Sequence, residues 1–269
     1  MKSQRRFSRS THRSRTRAAF PSRFPDKARA RKAVWDRLAR EGVARFPFPP
    51  HGRIPNFAGA AEAAARLFQI SIFRTARCLK INPDAPQRPV REFALRRGIT
   101  ILVPTPRLRA GFRRFDPREI PPECYAEAAS LSKGARWGEL LPLTRLPRID
   151  AVVVGSVAVT RRGHRCGKGE GYADLEYAVL RELGHPAVPV ATTIHPLQIL
   201  EEFPRDPFDL PLTFLVTPQE TIRVHPPLKG STGIDWDRLT DEQFEAMPLL
   251  RELRGFGYNS RRAPVKRRT

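Results

Sequence analysis

The chain has 269 residues, 40% of them hydrophobic, and a net charge of +22 at pH 7. That is enough for one large α/β domain, or one domain with tails. No apolar run approaches the ~20 residues of a membrane span. The three scattered cysteines, Cys78, Cys124 and Cys166, exclude a disulfide framework and favour a reducing compartment.

The charge is uneven. Residues 1–40 contain only Asp26 and Asp36 as acids, and the tail 261–269 is basic again. This balance suits contact with phosphates or other polyanions. A basic background with frayed ends gives the same charge. Residues 1–25 are rich in Arg and Ser without an acid, and are expected to be disordered. They have the composition of an organellar transit peptide and equally of a nonspecific nucleic-acid arm. The expected location is cytoplasmic, or organellar if this segment is a transit peptide.

Residues 26–41 predict the first helix, with Asp26 as cap and Gly42 as its end. Lys27 and Arg31 stand four apart and share a face. Two cations so placed can clasp a phosphate, or form a plain solvated face. Residues 46–57 (FPFPPHGRIPNF) are neither helix nor central strand. They are apolar enough to be expected packed on the body. His51 and Arg53 either touch a ligand there or brace the loop.

Residues 59–75 read as helix, 77–81 as strand, 89–97 as helix and 99–103 as a buried strand. Thr105 and Arg107 follow that strand directly. Loops after strand ends bind ligands in open parallel sheets, so both are candidate contacts. Residues 112–146 read as irregular, with a short helix near 122–130. A very apolar strand follows at 149–155, then a strand at 188–193. Two edge-like strands are expected at 212–217 and 221–224. A last helix lies within 236–253, with Thr240 as cap. Strands alternating with helices from 59 to 216 predict an α/β fold with a mostly parallel sheet and helices on both faces.

Residues 152–183 hold the chemistry: a β-branched run, a cluster of glycines and cations, then a helical pattern. Strand, glycine-rich turn and helix place backbone N–H groups before an anion. The order is neither a Walker A loop nor a dinucleotide fingerprint. Gly167, Gly169 and Gly171 permit positive φ and close approach. Arg162, Arg165 and Lys168 supply charge. Asp174 complements the helix dipole or holds Mg²⁺ against phosphate oxygens. Glu170 is a candidate acid, whereas Glu176 is expected on the surface.

The run GSVAVTRRGHRCGKGEGYADLEYA, from Gly155 to Ala178, resembles the 5-formyltetrahydrofolate cyclo-ligase family, the methenyltetrahydrofolate synthetases. The resemblance is closest to the branch of methenyltetrahydrofolate synthetase domain-containing proteins. RKAVWD from Arg31, FPFPPHGRIPNF from Phe46, LVPTPRL from Leu102 and DLPLTFLVTP from Asp209 fit the same branch in order.

The resemblance implies a three-layer α/β/α sandwich. In that family ATP phosphorylates the formyl oxygen of 5-formyltetrahydrofolate. A second folate nitrogen closes the ring, and phosphate leaves to give 5,10-methenyltetrahydrofolate. Lys27 and Arg31 match its ATP-binding helix. Arg165, Gly167, Gly169, Gly171, Tyr172 and Asp174 match its phosphate and Mg²⁺ loop, where Lys168 and Glu170 fill variable places. Gln198 matches a glutamine near the substrate pocket, and His195 and Arg53 are further pocket candidates.

Four positions depart from the pattern. Ala173 replaces a Tyr, Leu175 a phosphate-binding Arg, Phe208 a His and Thr213 an Asp. A lost charge-assisted bond to phosphate costs about 1.5–3 kcal/mol. Arg162 or Lys168 is the candidate replacement.

The expected organisation is a basic segment 1–25, a cyclo-ligase-like domain 26–225, a helical extension 226–257 and a tail 258–269. The resemblance implies ATP- and Mg²⁺-dependent conversion of 5-formyltetrahydrofolate to 5,10-methenyltetrahydrofolate, or a related ATP-dependent reaction, with ATP and a folate-like small molecule as ligands. A catalytically weak nucleotide-binding or RNA-binding relative is the alternative. No RNP-type signature occurs, so nucleic-acid contact would be weak, nonspecific and electrostatic through the termini.

Overall fold

The computed structural model describes residues 20–130 and 132–260, without the side chains of 256–260. Helix α1 (Lys27–Arg40) begins where the Asp26 carboxylate accepts the Arg29 N–H at 2.7 Å. It ends before Gly42, in the left-handed region at φ 65°. Strands β1 (Ala44–Arg45) and β2 (Asn56–Phe57) pair and bracket the proline-rich loop. Only part of that loop packs as expected. Ile54 and Phe57 are buried, whereas Phe46 and Phe48 are 77% and 60% exposed.

Next come α2 (Ala60–Leu67), α3 (Ser71–Arg74), β3 (Cys78–Ile81), α4 (Arg88–Arg96) and β4 (Thr100–Pro104). They lead to β5 (Phe112–Phe115), α5 (Tyr125–Ala128), β6 (Glu139–Leu141) and β7 (Ala151–Val154). The region expected to be irregular thus supplies two strands. Strand β5 pairs antiparallel with β4, and β6 with β5. The chain continues through β8 (Ala158–Thr160), β9 (Arg165–Cys166), α6 (Tyr172–Glu182), β10 (Val190–Thr193) and β11 (Ile199–Leu200). It finishes with β12 (Phe214–Val216), β13 (Thr221–Arg223), α7 (Asp241–Ala246) and α8 (Leu249–Ser260).

Among the described residues the main sheet runs β13-β12-β10-β7-β3-β4-β5-β6. Its five central strands, β12 to β4, are parallel, and antiparallel pairs close both edges. Strand β12, expected at an edge, is interior, because β13 covers its outer side and buries Leu215 and Val216.

Strand alternation sorts side chains to two faces. Leu102, Val152 and Val190 face α6, while Ile101, Val153 and Ala191 join the core beneath α2, α4 and α5. The fold is therefore a three-layer α/β/α arrangement. The apolar run of residues 151–160 is not one strand. It divides at Gly155-Ser156-Val157, and its second half enters a small sheet, β11-β8-β9, on which α1 packs through Ala30, Val34 and Leu38.

Both flanks of the domain are tied to it. Phe24 N–H donates to Glu202 O at 2.9 Å, Arg23 pairs with Glu201 and Glu202, and the Arg37 guanidinium covers the Phe20 ring. Residues 20–25, expected to be disordered, are thus packed against the domain. The expected disorder of 1–19, the tail 261–269 and any nucleic-acid contact through them lie outside the described residues.

At the other end the single expected helix is two, separated at Pro248. Thr240 caps α7 reciprocally with Gln243. Met247, Leu249, Leu250 and Leu253 enter the same core as α6. No described helix is long and apolar enough to cross a membrane.

Gly59 stands at the start of α2 with φ 93°, and a Cβ there would meet Pro218 Cγ at 2.5 Å. Gly59→Ala combines left-handed backbone cost with overpacking, about 2–4 kcal/mol together. Gly42→Ala carries the backbone cost alone, since nothing lies within 4 Å of its Cβ position. Urea titration of both variants is expected to show Gly59→Ala losing clearly more.

Candidate active site

The chain passes from β3 to β4 on one side of β3 and pairs β3 with β7 on the other. Ligands bind outside the carboxyl ends of strands at such a reversal. A cleft of about 690 Å³ opens there, lined by Asn82 and Asp84 after β3 and by Thr105 and Arg107 after β4. Arg107 is left-handed (φ 54°), a conformation rare for a side-chain-bearing residue. The Thr105 hydroxyl braces the loop by donating to Gly111 O at 2.9 Å.

The opposite wall joins two distant segments. Lys27 and Arg31, on one face of α1, line the cleft together with Gly167, Lys168, Gly169, Glu170, Gly171, Tyr172 and Asp174. The glycines act differently from one another. Gly169 (φ 117°) and Gly171 (φ 72°) use the left-handed region. Gly167 does not; a Cβ there would meet the Arg165 guanidinium at 2.9 Å. The Arg31 guanidinium lies 3.5 Å from the Cβ position of Gly169 and donates to Cys166 Sγ at 3.5 Å. The turn ends at the N-terminus of α6, and the free backbone donors of a helix N-terminus suit an anion.

Arg165 is 4% exposed and holds this wall rigid. Its Nε and Nη2 donate to Gly155 O at 3.1 and 2.9 Å. Its Nη1 donates to Asp174 Oδ1 at 3.2 Å, and Oδ1 also accepts Leu210 N–H at 3.0 Å. Lys27 Nζ donates to both oxygens of the buried Asp209 carboxylate. Burial pushes that carboxyl up, against the opposing hydrogen bond from Lys27. Lys168 and Glu170 form a half-exposed pair at 2.8 Å, so Glu170 is tied to a cation and not poised as a free acid.

Three candidates lie outside the cleft lining. Arg53 braces its loop by donating to Pro49 O at 3.2 Å. His195 caps a single turn, its Nδ1 taking the Leu197 N–H at 3.2 Å. Gln198 is fully buried, and its Nε2 donates to Ser156 O and Val157 O at 2.8 and 3.1 Å. That pair of bonds holds the break between β7 and β8. Arg162, a suggested substitute for the missing arginine, pairs with Glu202 away from the cleft.

Five residues of the cleft and its floor escaped the sequence reading. Glu176 is buried, not on the surface, and accepts from Lys80, which also donates to Asn82 Oδ1 at 2.6 Å. Burial raises the Glu176 carboxyl. Asp84 faces the cleft, and burial raises it as well, opposed by Arg91 and then Lys168. Burial pushes Arg91 down to about 10. The signal for Lys80 was available: a lysine inside the run C-L-K-I of an otherwise buried strand demands a partner.

Residues 26–218 match the model of the 5-formyltetrahydrofolate cyclo-ligase family. The chain is 41% identical over 230 residues to the methenyltetrahydrofolate synthase domain-containing protein of Mus musculus, covering 83% of this chain and 62% of the relative. It is 40% identical over 230 residues to its counterpart from Bos taurus, covering 83% and 60%. The chain thus spans about three fifths of the length of the curated relatives it matches. A solved 5,10-methenyltetrahydrofolate synthetase from Aquifex aeolicus aligns with 79% of this chain and 99% of its own, at 17% identity and a TM-score of 0.48. The extent of the model match and the identity to these relatives place this chain in the 5-formyltetrahydrofolate cyclo-ligase family.

Proposed function

We propose that the protein is an ATP- and Mg²⁺-dependent cyclo-ligase acting on 5-formyltetrahydrofolate or a closely related reduced folate. The observation that carries this reading is the meeting of Lys27 and Arg31 with the Gly167–Asp174 turn in one cleft, across more than 130 residues of chain. Backbone donors, two glycines free of Cβ at the approach, and several cations together suit a polyphosphate.

The donor set also fits magnesium. Among the described residues no group of three or more His, Cys, Asp or Glu is arranged to hold a metal alone. Mg²⁺ commonly uses one or two carboxylates and completes its shell with phosphates and water. Asp174 is the carboxylate for that role, since Arg165 and Leu210 N–H fix it at the mouth of the turn. Bound Mg²⁺-ATP supplies the phosphoryl group with which the formyl oxygen departs. Lys27 and Arg31 orient the phosphates, and Asp84 with Asn82 offers polar contacts across the cleft. Neither Phe208 nor Thr213 lines this cleft: Phe208 is 37% exposed, and the Thr213 hydroxyl accepts the Val190 N–H.

One observation favours slow turnover. Leu175 packs into the core and brings no cation to the wall. The test is an absorbance assay for the methenyl product with 5-formyltetrahydrofolate, ATP and Mg²⁺. Turnover is expected, with loss on omitting Mg²⁺ and in Asp174→Ala. ATP binding without turnover would shift the reading to a nucleotide-binding relative, and absence of both would end it.

A further inference from the structure

The cleft has a neighbour. A smaller hollow of about 270 Å³ lies beyond Gly171, Asp174, Asp206 and Asp209, which line both spaces. Its far wall comes from residues 231–243, downstream of the family match at 26–218. That wall touches the glycine turn: Gln243 Nε2 comes within 3.9 Å of the Cβ position of Gly171. Leu175, Ala178 and Leu239 give the hollow an apolar floor.

The lining selects among ligands. Asp174, Asp206, Asp209 and Asp235 face the hollow, and Arg238 is the one cation lining it among the described residues. Such a balance repels phosphate. The phosphate-directed cations Lys27, Arg31 and Lys168 all stand on the other side of Gly171.

What the hollow does offer is planar. Phe208 is 37% exposed, and the Arg238 guanidinium lies 4.3 Å from its ring centroid. Arg238 Nη1 also donates to Asp206 Oδ1 across a long bond of 3.4 Å. An aromatic ring and a guanidinium plane stack on flat nitrogen heterocycles. Carboxylates at the rim accept from exocyclic amines and sugar hydroxyls. The volume equals roughly nine waters' share of the liquid, the scale of one bicyclic ring system.

We propose that this annex receives the purine base of the nucleotide whose phosphates lie on the glycine turn, with Phe208 and Arg238 as its planar contacts. The assignment rests on reading the main cleft as an ATP site. The segment downstream of the family match is then part of the binding site and sets base preference.

Calorimetry on the full chain with Mg²⁺-ATP and with inorganic Mg²⁺-triphosphate separates the two compartments. Phe208→Ala and Arg238→Ala are each expected to weaken ATP about fivefold to a hundredfold, while triphosphate affinity stays within twofold. Arg238→Lys keeps the charge without the plane and is expected to recover little. Lys27→Ala weakens both ligands. Both annex side chains are partly exposed, so an unchanged melting temperature checks the fold. Equal weakening of both ligands, or unaltered ATP binding in the annex variants, would overturn the assignment while leaving the ATP reading intact. A wild-type chain that binds neither ligand would end both.

Discussion

Lys80→Ala is expected to cost about 3–5 kcal/mol of folding stability, a large share of an ordinary domain's total. Lys80 is 2% exposed and lies in β3, in the middle of the sheet. It donates to Glu176 and Asn82, and these bonds are what make its burial tolerable. The alanine variant leaves the Glu176 carboxylate buried without its cation. Burial already raises that carboxyl, so the variant is expected to fold with it protonated. The urea midpoint should fall sharply at unchanged m-value. The double variant Lys80→Met with Glu176→Leu removes both charges and is expected to regain most of the loss. A double variant no more stable than Lys80→Ala would show that the pair is not the cause.

Lys27→Ala is expected to weaken ATP binding roughly 10- to 100-fold, the equivalent of one charge-assisted hydrogen bond to phosphate. A second effect adds to this. Asp209 is buried and loses its cation, so its carboxyl rises further, and among the described residues the Asp206 N–H at 2.8 Å is the donor left to it. Lys32→Ala is the control from the same helix. Lys32 is exposed and paired with Asp36 at 2.6 Å, four residues on, so binding and kcat/KM should stay near wild type. Equal behaviour of the two variants would remove α1 from the site.

Local features were legible in the sequence because their causes are local. Asp26 and Gly42 bound α1, Thr240 and Gln243 open α7, and the apolar runs at 99–103 and 149–155 become β4 and β7. The glycine turn was legible too, since Gly169 and Gly171 need the left-handed region.

What escaped notice depends on partners far along the chain. Strand β5 reads F-R-R-F, and its arginines suggest a loop. Arg114 is accommodated because Glu139 on β6, Glu119 and Asp116 neutralise it, at 2.9, 2.8 and 3.6 Å. Glu176 was misplaced because it is a charged residue within a helical pattern that alternates apolar and charged side chains. Residues from Leu175 to Leu180 are all buried, since the sheet covers one side of α6 and the C-terminal segment covers part of the other. His195 and Gln198 have the chemistry of ligand contacts, but their hydrogen bonds are spent on the backbone. Arg238 could not be tied to the glycine turn by spacing, for it stands 64 positions after Asp174.

The packing of Met247, Leu250 and Leu253 onto the core beside α6 has a consequence for synthesis on the ribosome. A nascent chain halted at Pro218 already holds the five parallel strands and the glycine turn, yet its α6 face is bare. It lacks β13 over β12, the far wall of the annex and the cover on the apolar core. Such an intermediate exposes sticky surface and an open strand edge, the features that recruit chaperones. The proposed nucleotide site is therefore completed last, when residues 221–253 fold back over a scaffold that has been waiting for them.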